Sequence, residues 1–471
     1  MRFGWRRVLH DLGADLRPTL ALAGPVVLAE LGWMTMGLVD TMIVGPLGPE
    51  AIGAVSLGGM AFIAPIVFGM GLLLGLDTLV SQAFGAGDLD DARHSLSQGV
   101  WLAVGMTPPL MTLVGFGLAP ALGWIGTDSR VLADSRTYLQ GLNWGTLPLL
   151  IYVAYRRYLQ AVGRAGVVTF ALVSANAVNA LAVWALVYGR LGLPAFGIQG
   201  AGWATTLSRV YMATFLVVAA VAHDRKTLRA AAGSAWRRWR PDPKRLRTLV
   251  GLGLPAAAQV TLEVGVFAAA TALAGRLEPA ALAAHEVVMN VSSVTFMIPL
   301  GLGSAGAVRV GHAIGRDDPA AAARAGWSTL ALTAVFMAAA ALVFVIFPRA
   351  ILGGFTTDAR VLALGVPLLF VAAGFQLFDG VQGVTTGNLR GLGDTRTPML
   401  CHGLAHWAFG LPLGYALAFP LGFGVLGLWL GLSLGLALAG TVLLAAWVYR
   451  TRELGARALR ISRQESAPAY E

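Results

Sequence analysis

The sequence predicts an all-α polytopic membrane protein of twelve transmembrane helices arranged as two homologous six-helix bundles. Three observations predict it. The 471 residues are 56% hydrophobic and only 12% charged, a balance outside that of a water-soluble globule. Apolar stretches of about 20 residues, the length a helix needs to cross roughly 30 Å of hydrocarbon, follow one another almost from end to end. Blocks of the first half recur at one fixed spacing in the second. The alternating, weakly apolar segments of a membrane barrel do not appear, so helices are the expected spans.

In chain order, the opening "MRFGWRRVLHDLGADLRPTLALAGPVV" carries Arg2, Arg6 and Arg7 together with Asp11 and Asp15, and no small-residue cleavage site follows a short apolar core. It reads as a retained amphipathic lead-in. The first span covers 18–44 and stops at the turn "GPLGPE"; 51–79 and 95–120 flank the acidic "AGDLDDAR"; 137–160 follows "GTDSR"; 166–189 and 199–222 are separated by "GRLGLPAFG". After a basic stretch come 250–275, 281–308, 325–347, 361–389, 397–420 and 424–449, broken at "GRLEP", "GRDDP", "TTDAR", "RGLGDTRT" and "FPLGFG". Gly, Pro and charge clusters supply each break. The organisation is therefore an N-terminal bundle (1–222), a linker (223–249), a C-terminal bundle (250–450) and a tail (451–471). The 60 glycines suit close helix packing in lipid.

Charge sets the orientation. Of 34 Lys and Arg, Arg130, Arg136, Arg190, Arg276, Arg349 and Arg360 fall on one side, Arg209 lies inside a span, and the rest fall on the side of the two termini. By the positive-inside rule both termini are cytoplasmic, in a plasma (inner) membrane location. The same bias accounts for the net charge of +10 without nucleic acid. "HDRKTLRAAAGSAWRRWRPDPKRLR" (223–247) reads as a cytoplasmic linker lying near anionic membrane lipid.

The repeat is ungapped. "GPLGPEAIGA" at Gly45 matches "GRLEPAALAA" at Gly275, and "VSQAFGAGD" (80–88) matches "VGHAIGRDD" (310–318). "TDSRVL" (127–132) matches "TDARVL" (357–362), "LQAVG" (159–163) matches "LRGLG" (389–393), and Pro25 matches Pro255. Every pair is separated by 275 − 45 = 230 residues. Six spans per copy is an even number, so the copies share one orientation and are related by an axis along the membrane normal, as in transporters whose halves rock about a central cavity.

Against this scaffold three acids stand out. Shifted by 230, Asp379 faces Leu149, Glu263 faces Trp33 and Asp40 faces Ala270, so each acid belongs to one half only. At 1.5 Å per residue, Asp379 lies roughly 16 Å from Arg390 and Glu263 roughly 24 Å from Arg247, near mid-membrane. Asp379 shares a helix face with Gln376 and Gln382, and Glu263 with Gln259. Such faces must turn away from lipid. Asp40 lies five residues from the outer end at Gly45. The plain alternative for each acid is an ion pair with Lys or Arg, but Arg209 is the one such residue placed inside a span, and it lies in the N-terminal half. Two buried carboxylates without a fixed partner share a proton or hold a metal cation. Glu30, in the middle of the first span, is either an additional acid or the partner of Arg209.

Other features read as structure. Cys401 is filler in a span. "AHEVVMN" holds His285 and Glu286 but no second His four residues on, so the zinc-protease helix signature is absent, and Glu286 is an outer-end polar residue. Gly301 and Gly303 are packing glycines. Trp and Met residues in the spans are mostly core or interfacial belt. No nucleophile with a base and no metal-ligand set occurs at a recognised spacing, which excludes an intramembrane enzyme.

"LVDTMIVGPLG" (38–48), "VSQAFGAGD", "EVGVFAAATALAGRLEPAALAAHEVVMN" (263–290), "VRVGHAIG" (308–315) and "LFDGVQGVTTGNLRGLGDTRTP" (377–398) resemble the multidrug and toxic compound extrusion (MATE) transporters over about residues 18–450. Acids in the seventh and tenth spans mark the NorM-like branch. The resemblance implies a V-shaped fold of two lobes and cation-coupled export of small organic cations or amphipathic drugs by a monomer using no cofactor beyond its coupling ion. It also implies a sodium or proton site carried by Glu263 and Asp379, for which Gln259, Gln376 and Gln382 form the supporting polar face read from helical spacing, and an N-lobe substrate or proton site of Asp40, Asn176 and Asn179. Where the family often has a tyrosine one turn before the tenth-span acid, this chain has Phe375, which removes one ion-ligating hydroxyl. A flippase for lipid-linked precursors in the same superfamily is the alternative. It would be expected to have a cationic cavity for a pyrophosphate, for which only Arg209 is available.

Overall fold

The computed structural model describes residues 5–125, 128–230 and 239–465. The chain is helical almost throughout: α1 (Trp5–Val44), α2 (Pro49–Leu72), α3 (Gly75–Gly85), α4 (Leu89–Thr112), α5 (Ser129–Asn143), α6 (Thr146–Ala161), α7 (Ala165–Tyr188), α8 (Gly197–Ala230), α9 (Pro243–Ala274), α10 (Pro279–Gly315), α11 (Pro319–Ile346), α12 (Ala359–Gly391), α13 (Arg396–His402), α14 (Leu411–Ala418) and α15 (Gly424–Glu465). Ten helical stretches among the described residues are long and apolar enough to cross a membrane. The spans expected at 137–160 and 397–420 are not among those ten. Both are helical but broken and more polar: α5 and α6 meet at Trp144–Gly145, and a π-helical segment, Gly403–Gly410, separates α13 from α14. Polar residues such as Gln140, Asn143, His402 and His406 dilute the apolar signal there.

The 230-residue repeat extends to backbone geometry. Asp88 caps α4 by accepting from the Asp91 N–H at 2.8 Å, and Asp318 caps α11 by accepting from Ala321 at 2.8 Å. Asp128 caps α5 and Asp358 caps α12 in the same way, each bonding the N–H two residues on at 2.8 Å. Side-chain oxygens at these positions satisfy N–H groups that a helix start leaves open. Left-handed residues recur too: Gly87 (φ 78°) with Asp317 (φ 55°), and Gly163 (φ 76°) with Gly393 (φ 87°). Of these four positions, 317 is the one where a side chain occupies a conformation that favours glycine.

Contacts divide the chain into two units. One comprises Met1–Val27, Ser81–Gly87 and Ala258–Glu471, the other Leu28–Val80 and Asp88–Ala257. The division passes through the interiors of α1 and α9. In the first unit, Trp447 is fully buried among Leu302, Leu330, Leu389 and Leu443. There α10 and α12 cross on small residues: a Cβ added at Gly387 would sit 2.1 Å from the Gly303 carbonyl oxygen, so this approach requires glycine. In the second unit the fully buried side chains include Phe62, Tyr152, Tyr158 and Leu149, and Trp33 stacks on Tyr152 at 6.4 Å. At the start of α9, Asp242 accepts from the Lys244 N–H at 2.9 Å and meets His94 of α4 at 3.1 Å. Gln98 donates to the Arg240 carbonyl at 2.9 Å and accepts from the Asp242 N–H at 2.8 Å, while Arg245 pairs with Asp91.

Candidate functional site

In the first unit, α9 and α12 bring two acids to one amide. Gln382 Nε2 donates to Glu263 Oε1 at 3.0 Å and to Asp379 Oδ1 at 3.3 Å. Gln259, one turn before Glu263, donates to its other oxygen at 2.6 Å. Asp379 is 7% exposed and feels the Glu263 charge directly. Sequence spacing places these residues on facing stripes, because positions three and four apart share a helix face. Gln376 is not part of the bridge. It is buried on α12, but its Nε2 donates to Thr295 Oγ1 of α10 at 2.8 Å. Phe375 is buried and stacks on Trp429 at 6.0 Å, so this position contributes apolar packing.

The third wall of this site was not anticipated. His402, at the end of α13, is fully buried with Nδ1 3.9 Å from Glu263 Oε2, and the His406 ring lies 5.2 Å from the His402 ring. Both His402 ring nitrogens, His406 Nε2 and Gln382 Oε1 are buried with no hydrogen-bond partner. Within the π-helical turn, Trp407 Nε1 donates to the Leu262 carbonyl at 2.9 Å and fixes this segment beside Glu263. π-bulges recur at functional sites because their wide turn presents side chains an α-helix would not. Arg390 also acts on Glu263 electrostatically. The expectation that no cation is available to Glu263 is corrected by Arg390 alone, a charge at a span end; His402 and His406 add polar ring nitrogens beside the acid, which a count of Lys and Arg leaves out. The available signal was the His-x-x-x-His spacing in the eleventh span, which puts both rings on one face.

The second unit holds the other acid. Asn179 of α7 and Thr205 of α8 donate to the two Asp40 oxygens, Thr205 at 3.2 Å. Ser208 donates to Asn179 Oδ1 at 2.9 Å, extending the network along α8. Arg209 acts on Asp40 electrostatically, while its guanidinium lies over the Phe62 ring at 4.4 Å and donates to the Leu142 carbonyl at 3.5 Å. Asn176 does not join Asp40: its amide donates to the carbonyls of Gly32 at 3.1 Å and Leu172 at 3.0 Å. Glu30 pairs with Arg156 and not with Arg209. Arg156, counted with the charges on the side of the termini although it falls within the fourth span's limits of 137–160, is 4% exposed. A carboxylate and a guanidinium in apolar surroundings each need the other more than either does in water.

His285 is structural. It bonds Thr271 at 2.9 Å and accepts from the Trp429 indole at 3.0 Å. Cys401 is buried, with its thiol directed at the Ala439 carbonyl at 3.6 Å.

Membrane-length helices enclosing amide-bridged acids, with helix caps and turns duplicated at one spacing, define the class of polytopic membrane transporters. Within that class the chain belongs to the MatE family, whose model matches residues 25–185 and 255–416. The two matched stretches begin 255 − 25 = 230 residues apart, the period of the repeat. A probable multidrug resistance protein NorM of Mesorhizobium japonicum is 39% identical over 445 residues, 93% of this chain and 94% of its own. A namesake from Bradyrhizobium diazoefficiens is 38% identical over 430 residues, 90% and 91% of the two chains. Among solved structures, the eukaryotic MATE transporter AtDTX14 superposes with a TM-score of 0.81 at 21% identity, covering 95% of this chain and 99% of its own. A MATE structure in the bent conformation gives 0.82 at 19% identity, covering 96% and 99%. These likenesses establish the MATE fold.

Proposed function

We propose that this protein is a multidrug efflux antiporter that exports cationic or amphipathic organic compounds from the cytoplasm in exchange for sodium ions or protons. The observation that carries the reading is the Gln382 bridge between Glu263 and Asp379. Two carboxylates held by one neutral amide repel each other, and a mobile cation entering between them relieves that repulsion. Their oxygens, with the unpartnered Gln382 Oε1, form a hard oxygen set suited to a sodium ion, and the same carboxylates can take a proton. The Asp40–Asn179–Thr205 cluster serves as the N-lobe substrate or proton site, with Asn176 ordering the backbone of α1 beside it. Both termini and the basic 223–249 linker face the cytoplasm, in keeping with the Lys and Arg bias. The relatives' names support the drug specificity.

The test is accumulation of a fluorescent organic cation in a bacterial host lacking its own pumps, with sodium and proton gradients imposed separately. Expression of the chain should lower accumulation only when one of the two gradients points inward. Gradient-independent export, or none, would overturn the reading.

A further inference from the structure

The second unit contains a cavity of about 620 Å³ that the export chemistry does not use, between the end of α4 and the face of α5. From Asp90, near the linker contacts, to Thr112 is 22 residues of α4, roughly 33 Å of helix. The cavity therefore lies at the membrane face opposite the linker. Local backbone opens it. After Thr112 the helix widens into a π turn, Leu113–Leu118, and Asn143 donates to the Met111 carbonyl at 3.0 Å to close the floor.

The walls separate by chemistry. Phe116, Leu139 and Trp144 supply apolar surface, with Phe116 83% and Trp144 63% exposed. Arg136, Gln140 and Asn143 follow one another along one face of α5. Arg136 is held in place by donating through Nε to the Ala119 carbonyl at 3.0 Å and through Nη2 to the Pro120 carbonyl at 3.3 Å. A guanidinium has five N–H donors, and among the described residues Arg136 has no carboxylate partner. A fixed, unneutralised cation thus sits over an apolar crevice at the level where hydrocarbon gives way to headgroups.

We propose that this cavity is a binding site for an anionic phospholipid, with the phosphate on Arg136 and Gln140 and an acyl chain along Phe116, Leu139 and Trp144. Charge complementarity selects this occupant: guanidinium binds phosphate through paired N–H groups, and an organic cation is repelled. Native mass spectrometry of the purified full chain, titrated with phosphatidylglycerol or phosphatidylcholine, tests it. The wild type should retain one more phosphatidylglycerol than phosphatidylcholine. Arg136→Gln should weaken that retention about tenfold, the loss of one charged hydrogen-bond pair, and Arg136→Lys should restore part of it. Because Arg136 also holds backbone carbonyls, Gly115→Phe provides a second variant. Gly115 lines the crevice and is not one of the residues Arg136 bonds; a Cβ there would start 3.5 Å from Asn143 Nδ2, so the added ring takes up crevice space, and this variant should lose the lipid as well. Equal retention of the two lipids, unchanged retention in both Arg136→Gln and Gly115→Phe, or displacement of phosphatidylglycerol by a transported organic cation would each overturn the proposal.

Discussion

At the scale of single residues, the acids were the most legible part of the site and their neighbours the least. Glu263 and Asp379 stand out because a carboxylate in a long apolar run has to be there for a reason. Gln382 follows from helical spacing, and the structure joins all three. His402 and His406 escaped because a neutral imidazole does not interrupt hydropathy as a charge does. Arg156 escaped because its apparent place at a span end hid its pairing with Glu30. No sequence signal separates Asn179, which bonds Asp40, from Asn176, which bonds main chain. The Gln382 bridge makes one unit of the two C-lobe acids, and effects within one unit do not add. Asp379→Asn and Glu263→Gln should each abolish export while the protein still reaches the membrane, and the double variant should be no worse than either. Transport assays on membranes with matched expression decide this; multiplicative losses would indicate two separate sites.

At the scale of elements, breaks were easier to read than the path of the chain between them. Asp88, Asp128, Asp318 and Asp358 fall inside the breaks read between spans, and in the structure each caps a helix start, because an acid before an apolar run is a local signal. The π turns were not legible, since they arise from tertiary contacts such as Trp407 on Leu262. The α10–α12 crossing yields a stability prediction. Gly387→Ala places a methyl group against the Gly303 carbonyl and should destabilise by about 1–3 kcal/mol, as overpacking does, seen as a lower melting temperature in detergent. The turn into α13 predicts a pH effect. Asp394 is half buried, which opposes its ionisation, but Arg450 at 2.7 Å and Thr397 at 2.9 Å hold its carboxyl below the usual range. Its folded value is depressed, so its contribution is complete above the unfolded value of about 3.9 and is lost as pH falls through the lower, folded one. Melting temperatures between pH 3 and 6 should fall towards the acid end, and Asp394→Asn should flatten that limb.

At the scale of the whole molecule, duplication gave the frame and the acids gave its asymmetry. If ion and drug exchange through one cycle, binding of either must weaken the other by the same factor, because linkage is reciprocal. Isotherms for a fluorescent cation on purified protein, across pH 5.5 to 8.5 and with or without sodium, should show affinity falling as the coupling ion rises. Affinity flat in both series would remove the exchange. The two contact units carry a further implication, for synthesis. One unit draws on Met1–Val27, on the short Ser81–Gly87 and on Ala258–Glu471, so the first part of α1 leaves the ribosome long before most of its own unit exists. The gap, 258 − 27 = 231 residues, takes on the order of 10–50 s at translation rates of about 5–20 residues per second. During that interval the first half of α1 must wait in the bilayer without its own unit, sheltered by lipid or by the insertion machinery. The Leu28–Val80 and Asp88–Ala257 unit can close first, so the order of assembly runs from the middle of the chain outward to its ends.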